Sequence, residues 1–191
     1  MKNTVKTYFD KSAFLTTKDK IYANACLQLF DFLIKTDVVE NDTTSKLIQG
    51  NYQNTKAFIS SNEPGIIAGI EEVVYLIKKR TNLKLKIVTK DKTFVKKNEV
   101  LAEIIGNPLE ILQYERTILN ILARMSGIAT FTASLIKKNN LKTTLAATRK
   151  TLWGLIDKKA VAIGGGLTHR LSLSDEILIK DNHIDIISKK F

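Results

Sequence analysis

Hydrophobic positions recur every four residues at Ile21, Ala25, Leu29 and Leu33, the period of an amphipathic helix. Thr16 and Asp19 stand ahead of that stripe at capping-box spacing, which sets the expected start near Thr16-Thr17-Lys18-Asp19. The polar run Glu40-Asn41-Asp42-Thr43-Thr44 reads as a turn. Residues 56–60 suit a short strand that Pro64-Gly65 breaks. Ile70, Val73, Val74 and Ile77 predict a second helix over 69–80. Leu83-Lys84-Leu85-Lys86-Ile87-Val88 alternates with period two, as a half-buried strand does. Residues 95–106 hold another strand, centred on Val100-Leu101-Ala102-Glu103-Ile104-Ile105. Up to about residue 108, helices and strands mix without strict alternation, which predicts an α+β layer.

The pattern then changes. Pro108 suits the first turn of a long helix reaching about Ser126. Leu109, Ile111, Leu112, Ile118, Leu119, Ile121 and Leu122 lie all round it, so the helix should be largely buried. Gly127 is read as an interruption, with a further helix over 129–138. Asn139-Asn140 reads as a turn, and residues 142–147 as a strand ending at Thr148-Arg149-Lys150. A short helix over 154–163 precedes Gly164-Gly165-Gly166. Glu176-Ile177-Leu178-Ile179 reads as a strand buried on both faces, as in parallel sheets. Lys180-Asp181-Asn182-His183 follows it at once. Strand, helix, strand and the start of a helix is the opening of a β/α barrel or a doubly wound sheet.

Composition narrows the class. A chain of 191 residues with 44% hydrophobic content can bury a core as one domain or two small ones. Thirty Lys and Arg against nineteen Asp and Glu leave a net charge of +11. Anionic partners and a merely lysine-rich composition both explain that surplus. No block of five basic residues occurs, so nucleic acid is not the expected partner. Cys26 is the single cysteine, which excludes a disulfide framework and suits a reducing cytoplasm. Residues 1–17 lack the apolar core of a signal peptide. Apolar runs fall short of the ~20 residues of a membrane span, so a soluble, cytoplasmic protein is expected.

Candidate chemistry gathers late in the chain. Arg149 and Lys150 follow one predicted strand and Lys180 the next. Groups at the carboxyl ends of strands form the sites of β/α barrels. Such a rim would recognise carboxylate or phosphate, with Arg in bidentate contact; solvated loop charges are the competing reading. Arg116 sits among apolar helix positions and needs a partner if buried. Glu110, Glu115 or a snorkelling exit to solvent would serve. The triple glycine permits close backbone approach or a loose turn, and matches neither the dinucleotide fingerprint nor the phosphate loop. His169 and His183 alone do not make a metal site.

Several runs together resemble one family. They are Glu115-Arg116-Thr117-Ile118-Leu119-Asn120 with Ser126-Gly127-Ile128-Ala129-Thr130, then Thr148-Arg149-Lys150-Thr151. Gly164-Gly165-Gly166-Leu167-Thr168-His169-Arg170 and Leu178-Ile179-Lys180-Asp181-Asn182-His183-Ile184 complete the set. Asp42-Thr43-Thr44, Gly65-Ile66-Ile67-Ala68-Gly69 and residues 95–106 agree as well. In order and spacing they resemble the quinolinate phosphoribosyltransferases, over about residue 37 to the end. The resemblance implies phosphoribosyl transfer from phosphoribosyl pyrophosphate to quinolinate with decarboxylation. The products would be nicotinate mononucleotide, pyrophosphate and carbon dioxide, a step of NAD biosynthesis, with Mg2+ accompanying the donor. It implies an α/β sandwich domain (residues 1–108) and the first strands of an incomplete type II phosphoribosyltransferase β/α barrel (residues 109–191). A homodimer is implied, in which Arg116 reaches the neighbouring subunit's site. Thr148, Arg149, Lys150, His169 and Arg170 would bind quinolinate, and Lys180 would face the donor's phosphates. Lys150 and Lys180 are the implied catalytic cations.

The chain also departs from the family's pattern. Ala147 stands where an acidic residue is usual, Trp153 where a proline is, and Ile156 where an arginine is. Lys158 or Lys159 is a candidate to replace that arginine. The family's acidic residues for ribose and magnesium would lie beyond Phe191, and a comparable barrel takes on the order of 250 residues. A non-catalytic fragment, half of a split enzyme with a missing C-terminal part, and a related nicotinate phosphoribosyltransferase stay open as alternatives.

Overall fold

The computed structural model describes residues 8–38, 42–48, 50–138 and 144–189. Helix α1 (Lys20–Asp37) begins where the Asp19 carboxylate accepts the N–H groups of Ile21 at 2.9 Å and Tyr22 at 3.0 Å. Asp19 is therefore the cap itself, and Thr16 bonds elsewhere, to Glu71. The buried stripe of α1 runs through Tyr22, Ala23, Cys26 and Phe30, while Ile21 is 75% exposed. The inward face is thus rotated one position from the stripe of the apolar period. A polar contact accompanies the rotation: the buried Tyr22 hydroxyl donates to Glu72 at 2.7 Å. Leu29 and Leu33 remain partly buried at the margin of the core.

In chain order the following elements are α2 (Thr43–Leu47), β1 (Thr55–Ser60), β2 (Gly65–Ile66), α3 (Ile70–Arg80), β3 (Lys84–Ile87), β4 (Phe94–Val95), β5 (Val100–Gly106), α4 (Pro108–Lys138), α5 (Leu155–Ile163) and α6 (Asp181–Ser188). The expected turn over 40–44 becomes, in its described part, the capped start of α2. Asp42 accepts the Ser45 N–H at 3.0 Å, while Glu40 and Asn41 lie outside the described residues. The antiparallel sheet has the order β1-β5-β3. Its register puts Ala57 opposite Ile104 and Ile59 opposite Ala102, so one face joins the core. On the opposite face Glu103, in the central strand, takes Lys56 at 3.1 Å and Lys86 at 3.8 Å. The single strand expected over 95–106 is two, because β4 leaves to pair with β2. Period two holds in β3 for Leu83 and Leu85 but fails at Ile87, which is 44% exposed.

Helix α4 runs unbroken through Gly127. An interior glycine costs about 1 kcal/mol relative to alanine. Burying Ile121, Leu122 and Met125 ahead of it contributes roughly 1.5–3 kcal/mol per large side chain, and Ala129 and Thr132 behind it are buried too. Packing wins and the helix continues. It is not buried all round: Leu112 is 49% and Phe131 64% exposed. By length and composition α4 would suffice to cross a membrane, but its buried residues belong to the common core.

The expected strand over 176–179 does not form, and Ile177 and Ile179 are 92% and 65% exposed. A strand apolar on both faces needs sheet neighbours and covering layers, and among the described residues nothing pairs with this segment. Of the strand expected over 142–147, residues 144–147 show one parallel bridge, Ala146 with Leu167; residues 142 and 143, and the Asn139-Asn140 turn, lie outside the described part. Helix α6 begins at Asp181, directly after Lys180.

A buried charge cluster ties the first half to α5. Lys159 Nζ contacts Glu71 at 2.5 Å and Glu72 at 2.7 Å, and Glu72 is fully buried. Burial works against the Lys159 charge, but Glu72 and Glu71 raise its pKa. Glu71 also accepts from the Thr16 hydroxyl and from the Thr17 N–H and hydroxyl. Asp91 caps α3 from a distant loop through Ile70 N at 2.9 Å and Glu71 N at 3.3 Å.

Two outcomes follow from this cluster. Lys159→Met strands the Glu72 charge and should cost about 3–5 kcal/mol in chemical denaturation; a loss under ~1 kcal/mol would show that the pair is not fixed in solution. Burial opposes the Glu71 charge, yet Lys159, Thr16 and Thr17 bring its pKa down from 4.5 to about 2. A depressed carboxylate contributes stability that is present above its unfolded value and lost as pH falls through the folded one. Thermal stability should therefore drop between pH 4.5 and 2, and Glu71→Gln should flatten that slope.

Candidate anion-binding site

Two extended segments run side by side. Ala147 N–H donates to the Leu167 carbonyl at 2.8 Å, and Leu167 N–H donates to the Leu145 carbonyl at 2.9 Å. The pairing is parallel, and α5 makes the return between the two. Thr148-Arg149-Lys150 thus leaves one carboxyl end and Thr168-His169-Arg170 leaves its neighbour. The glycines let α5 and the return fit. A Cβ on Gly164 would strike the Ala129 carbonyl of α4, and Gly165 has φ +93°. The close approach permitted by the triple glycine is to the chain's own α4.

Three consecutive charged residues of α5 are buried, and each serves a different direction. Asp157 takes Arg124 of α4 in a two-pronged pair, Nε at 2.8 Å and Nη2 at 2.7 Å. It also accepts from the Thr151 hydroxyl and from the Trp153 N–H. Burial opposes its charge, but Arg124 and Thr151 hold its carboxyl below the usual range. Residues 151–153, just past the Thr-Arg-Lys run, are thereby fixed to α4 and α5. The Arg124 guanidinium lies 4.9 Å from the centre of the Trp153 ring, a cation–π contact. Lys158 is 2% exposed and donates to the Thr168 carbonyl at 2.8 Å. Burial, then Arg149 and Arg170, lower its pKa. Lys159 is spent on Glu71 and Glu72, whereas Lys158 has no ion pair among the described residues.

A cleft of about 280 Å³ opens beside this turn, lined by Thr148, Lys150, Thr151, Arg124 and Lys158 among others. The structure groups Thr148 and Lys150 there, with Arg149 and the buried Arg170 acting on Lys158. Among the described residues, no ion pair engages Arg149, Lys150, Lys158 or Arg170. Thr148 accepts the Lys150 N–H at 3.1 Å. His169 has φ +53°, its N–H donates to the Phe9 carbonyl, and its Nδ1 faces Glu176 at 3.5 Å. Two predicted residues stand apart. Arg116 is exposed, pairs with neither Glu110 nor Glu115, and borders a hollow with Leu33, Thr36 and Asp37. Lys180 is exposed beside α6, its N–H on His183 Nδ1 at 3.1 Å, and does not line the cleft. Among the described residues no cluster of three acidic, His or Cys side chains could hold a metal. Sequence reasoning missed Asp157 as a support of this site, its one signal being the charged run Asp157-Lys158-Lys159 inside an otherwise apolar turn. Arg124, a lone cation on an apolar helix, raises the same question of a partner as Arg116, and Asp157 is that partner.

The chain is similar to known proteins over most of its length. Residues 42–126 match the quinolinate phosphoribosyl transferase N-terminal domain, and residues 128–190 match the C-terminal domain. A probable nicotinate-nucleotide pyrophosphorylase [carboxylating] of Methanothermobacter thermautotrophicus is 38% identical over 160 residues, which are 81% of this chain and 57% of that protein. Its Bacillus subtilis counterpart is 37% identical over 82% of this chain and 55% of its own length. The solved nicotinate-nucleotide pyrophosphorylase from Francisella tularensis superposes with a TM-score of 0.76 at 35% identity, covering 85% of this chain and 59% of the other. The chain thus has the mixed α/β fold of the solved structure and spans a little over half the length of these three relatives. With both domain matches in order and almost contiguous, it belongs to the quinolinate phosphoribosyl transferase family.

Proposed function

We propose that this chain supplies the α/β sandwich and the opening of the β/α barrel of a quinolinate phosphoribosyltransferase. The reaction joins quinolinate to phosphoribosyl pyrophosphate and forms nicotinate mononucleotide, pyrophosphate and carbon dioxide, for NAD biosynthesis. One observation carries the reading: the parallel pairing of residues 145–147 with Leu167. It sets two cationic runs on adjacent strand ends, and among the described residues no carboxylate is paired with Arg149, Lys150 or Arg170.

That arrangement suits the substrates. Quinolinate carries two carboxylates and the donor several phosphate charges, so both ask for cations fixed before binding. Arg149, Lys150, His169 and Arg170 orient the pyridine so that its nitrogen faces the ribose C1. The ring nitrogen attacks that carbon as pyrophosphate departs, and cations facing the donor stabilise the leaving charge. The new positive charge on the ring nitrogen then draws the electrons left by departing carbon dioxide, and a proton completes the ring. No covalent nucleophile on the protein is required. Lys180 is assigned to the donor's phosphates. Magnesium would accompany the donor, and among the described residues no cluster of three acidic, His or Cys side chains is present to hold it. The exposed Arg116 supports a homodimer in which that side chain crosses to the other copy. A buried free Cys26 fits a cytoplasmic setting.

Quinolinate labelled in its 2-carboxylate should release labelled carbon dioxide in the presence of phosphoribosyl pyrophosphate and Mg2+. In the same preparation Arg149→Ala should weaken quinolinate binding by ~10-fold or more, the scale of a charge-assisted hydrogen bond. Preference for nicotinate, with no carbon dioxide evolved, would overturn the assignment. Binding that disappears in Arg149→Ala without any turnover would instead favour a binding subunit of a two-chain enzyme. Asp157→Asn should loosen residues 151–153. Stability should fall by about 1.5–3 kcal/mol, the scale of a hydrogen bond to a charged group, since Arg124 is part-exposed, and amide exchange across 148–153 should rise. An unchanged exchange pattern would dismiss Asp157 as the tether.

A further inference from the structure

We infer that Lys158 is a substrate-binding residue, the cation that takes one carboxylate of the pyridine dicarboxylate. The inference rests on the quinolinate reading of the cleft and adds to it a specificity-determining group.

The contrast between neighbours on α5 makes the case. Lys159 is 8% exposed and satisfied by two carboxylates at 2.5 and 2.7 Å. Lys158 is buried more deeply, at 2% exposure, and its one described partner is the neutral Thr168 carbonyl at 2.8 Å. An ammonium has three N–H donors, so two remain free for a ligand. A buried charge without a counterion is costly and normally acquires one. Lys158 lines the cleft together with Thr148, Lys150 and Thr151, which is the place an anion would enter. Arg149 and Arg170 add positive potential at the same point rather than relieving it. The missing partner is therefore anionic, small enough for about 280 Å³, and absent from the chain's described side chains. A planar ring carrying adjacent carboxylates meets that description, with one carboxylate for Lys158 and the other for the arginines.

Titration calorimetry with quinolinate, nicotinate and picolinate tests this, since the two monocarboxylates each keep a different one of the two groups. Lys158→Gln removes the charge yet can still donate to the Thr168 carbonyl, so the support of that segment is retained. Lys158→Arg restores the charge. Lys158→Gln should weaken quinolinate by about 10- to 100-fold, the range for a hydrogen bond to a charged group. It should weaken one monocarboxylate and leave the other within about twofold, and Lys158→Arg should recover most of the quinolinate affinity. Equal quinolinate binding by the wild type and Lys158→Gln would overturn the inference and leave the quinolinate reading standing. Equal losses for all three ligands would also overturn it, since a displaced Thr168–Arg170 segment does that. A wild-type chain that binds no quinolinate would remove the reading and the inference together. Should Lys158→Gln melt well below the wild type, Lys158→Met carries the same three-ligand comparison.

Discussion

The contact between Lys159 and the two carboxylates of α3 is the constraint on which the candidate site depends. It is the charged bond between the antiparallel layer and the helix that carries the anion cleft. Glu72 is wholly buried and keeps one carboxylate oxygen without a partner; burial pushes its pKa up, and Lys159 and the Tyr22 hydroxyl against the other oxygen oppose that shift. Replacing a buried pair with apolar groups is often neutral or stabilising. What the pair adds here is position. It fixes the rotation of α5, and with it the directions in which Asp157 and Lys158 point.

Successive helix positions are about 100° apart, so three in a row cover most of the circumference. In α5 these are Asp157, Lys158 and Lys159, all buried, and the helix is enclosed rather than laid on a surface. Asp157 looks to α4 and to the loop after the Thr-Arg-Lys run. Lys158 looks to the segment that carries His169 and Arg170, and Lys159 looks to α3. One turn of helix thus holds both cationic segments and anchors them to the first half of the protein. Asp157 gives its charge to Arg124 and Lys159 gives its charge to glutamates, leaving Lys158 as the cation available to a ligand.

Much of this fold was legible from periodicity. The strands over 55–60 and 100–106, helix α3, the Pro108 start of α4 and the helix at 155–163 all follow from spacing and turn residues. The misreadings share a cause: long-range contacts outweighed a local signal. Gly127 breaks a helix only where packing on both sides is weak, and in α4 it is not. Ile177 to Ile179 carry strand propensity but lack a neighbour to pair with. Ile21 continues an apolar period, yet Tyr22 takes the inward position because a carboxylate fifty residues away needs its hydroxyl. The candidate residues were legible as motifs, since Thr148, Arg149, Lys150, His169 and Arg170 stand in recognisable runs. Their supports were not, because the partners that bury Asp157 and Lys159 lie on other elements, far away in sequence.

The His169 backbone shows how such a site is held in shape. A left-handed conformation at φ +53° is unfavourable for any residue with a Cβ, and it persists only where the surroundings over-determine it. Here they do so from three sides. The Phe9 carbonyl accepts the His169 N–H, and the Phe9 ring lies 5.4 Å from the imidazole. Lys11 N–H donates to the Thr168 hydroxyl at 2.7 Å, and Lys158 holds the Thr168 carbonyl. A segment near the amino terminus is therefore part of the scaffold of a site some 160 residues later, across a separation that no local pattern encodes. With Thr168 bound on both its hydroxyl and its carbonyl, the step into His169 and Arg170 is fixed before an anion arrives. Little reorganisation is then left for binding, which is what a cationic site needs if its charges are to act on a transition state rather than on the substrate alone.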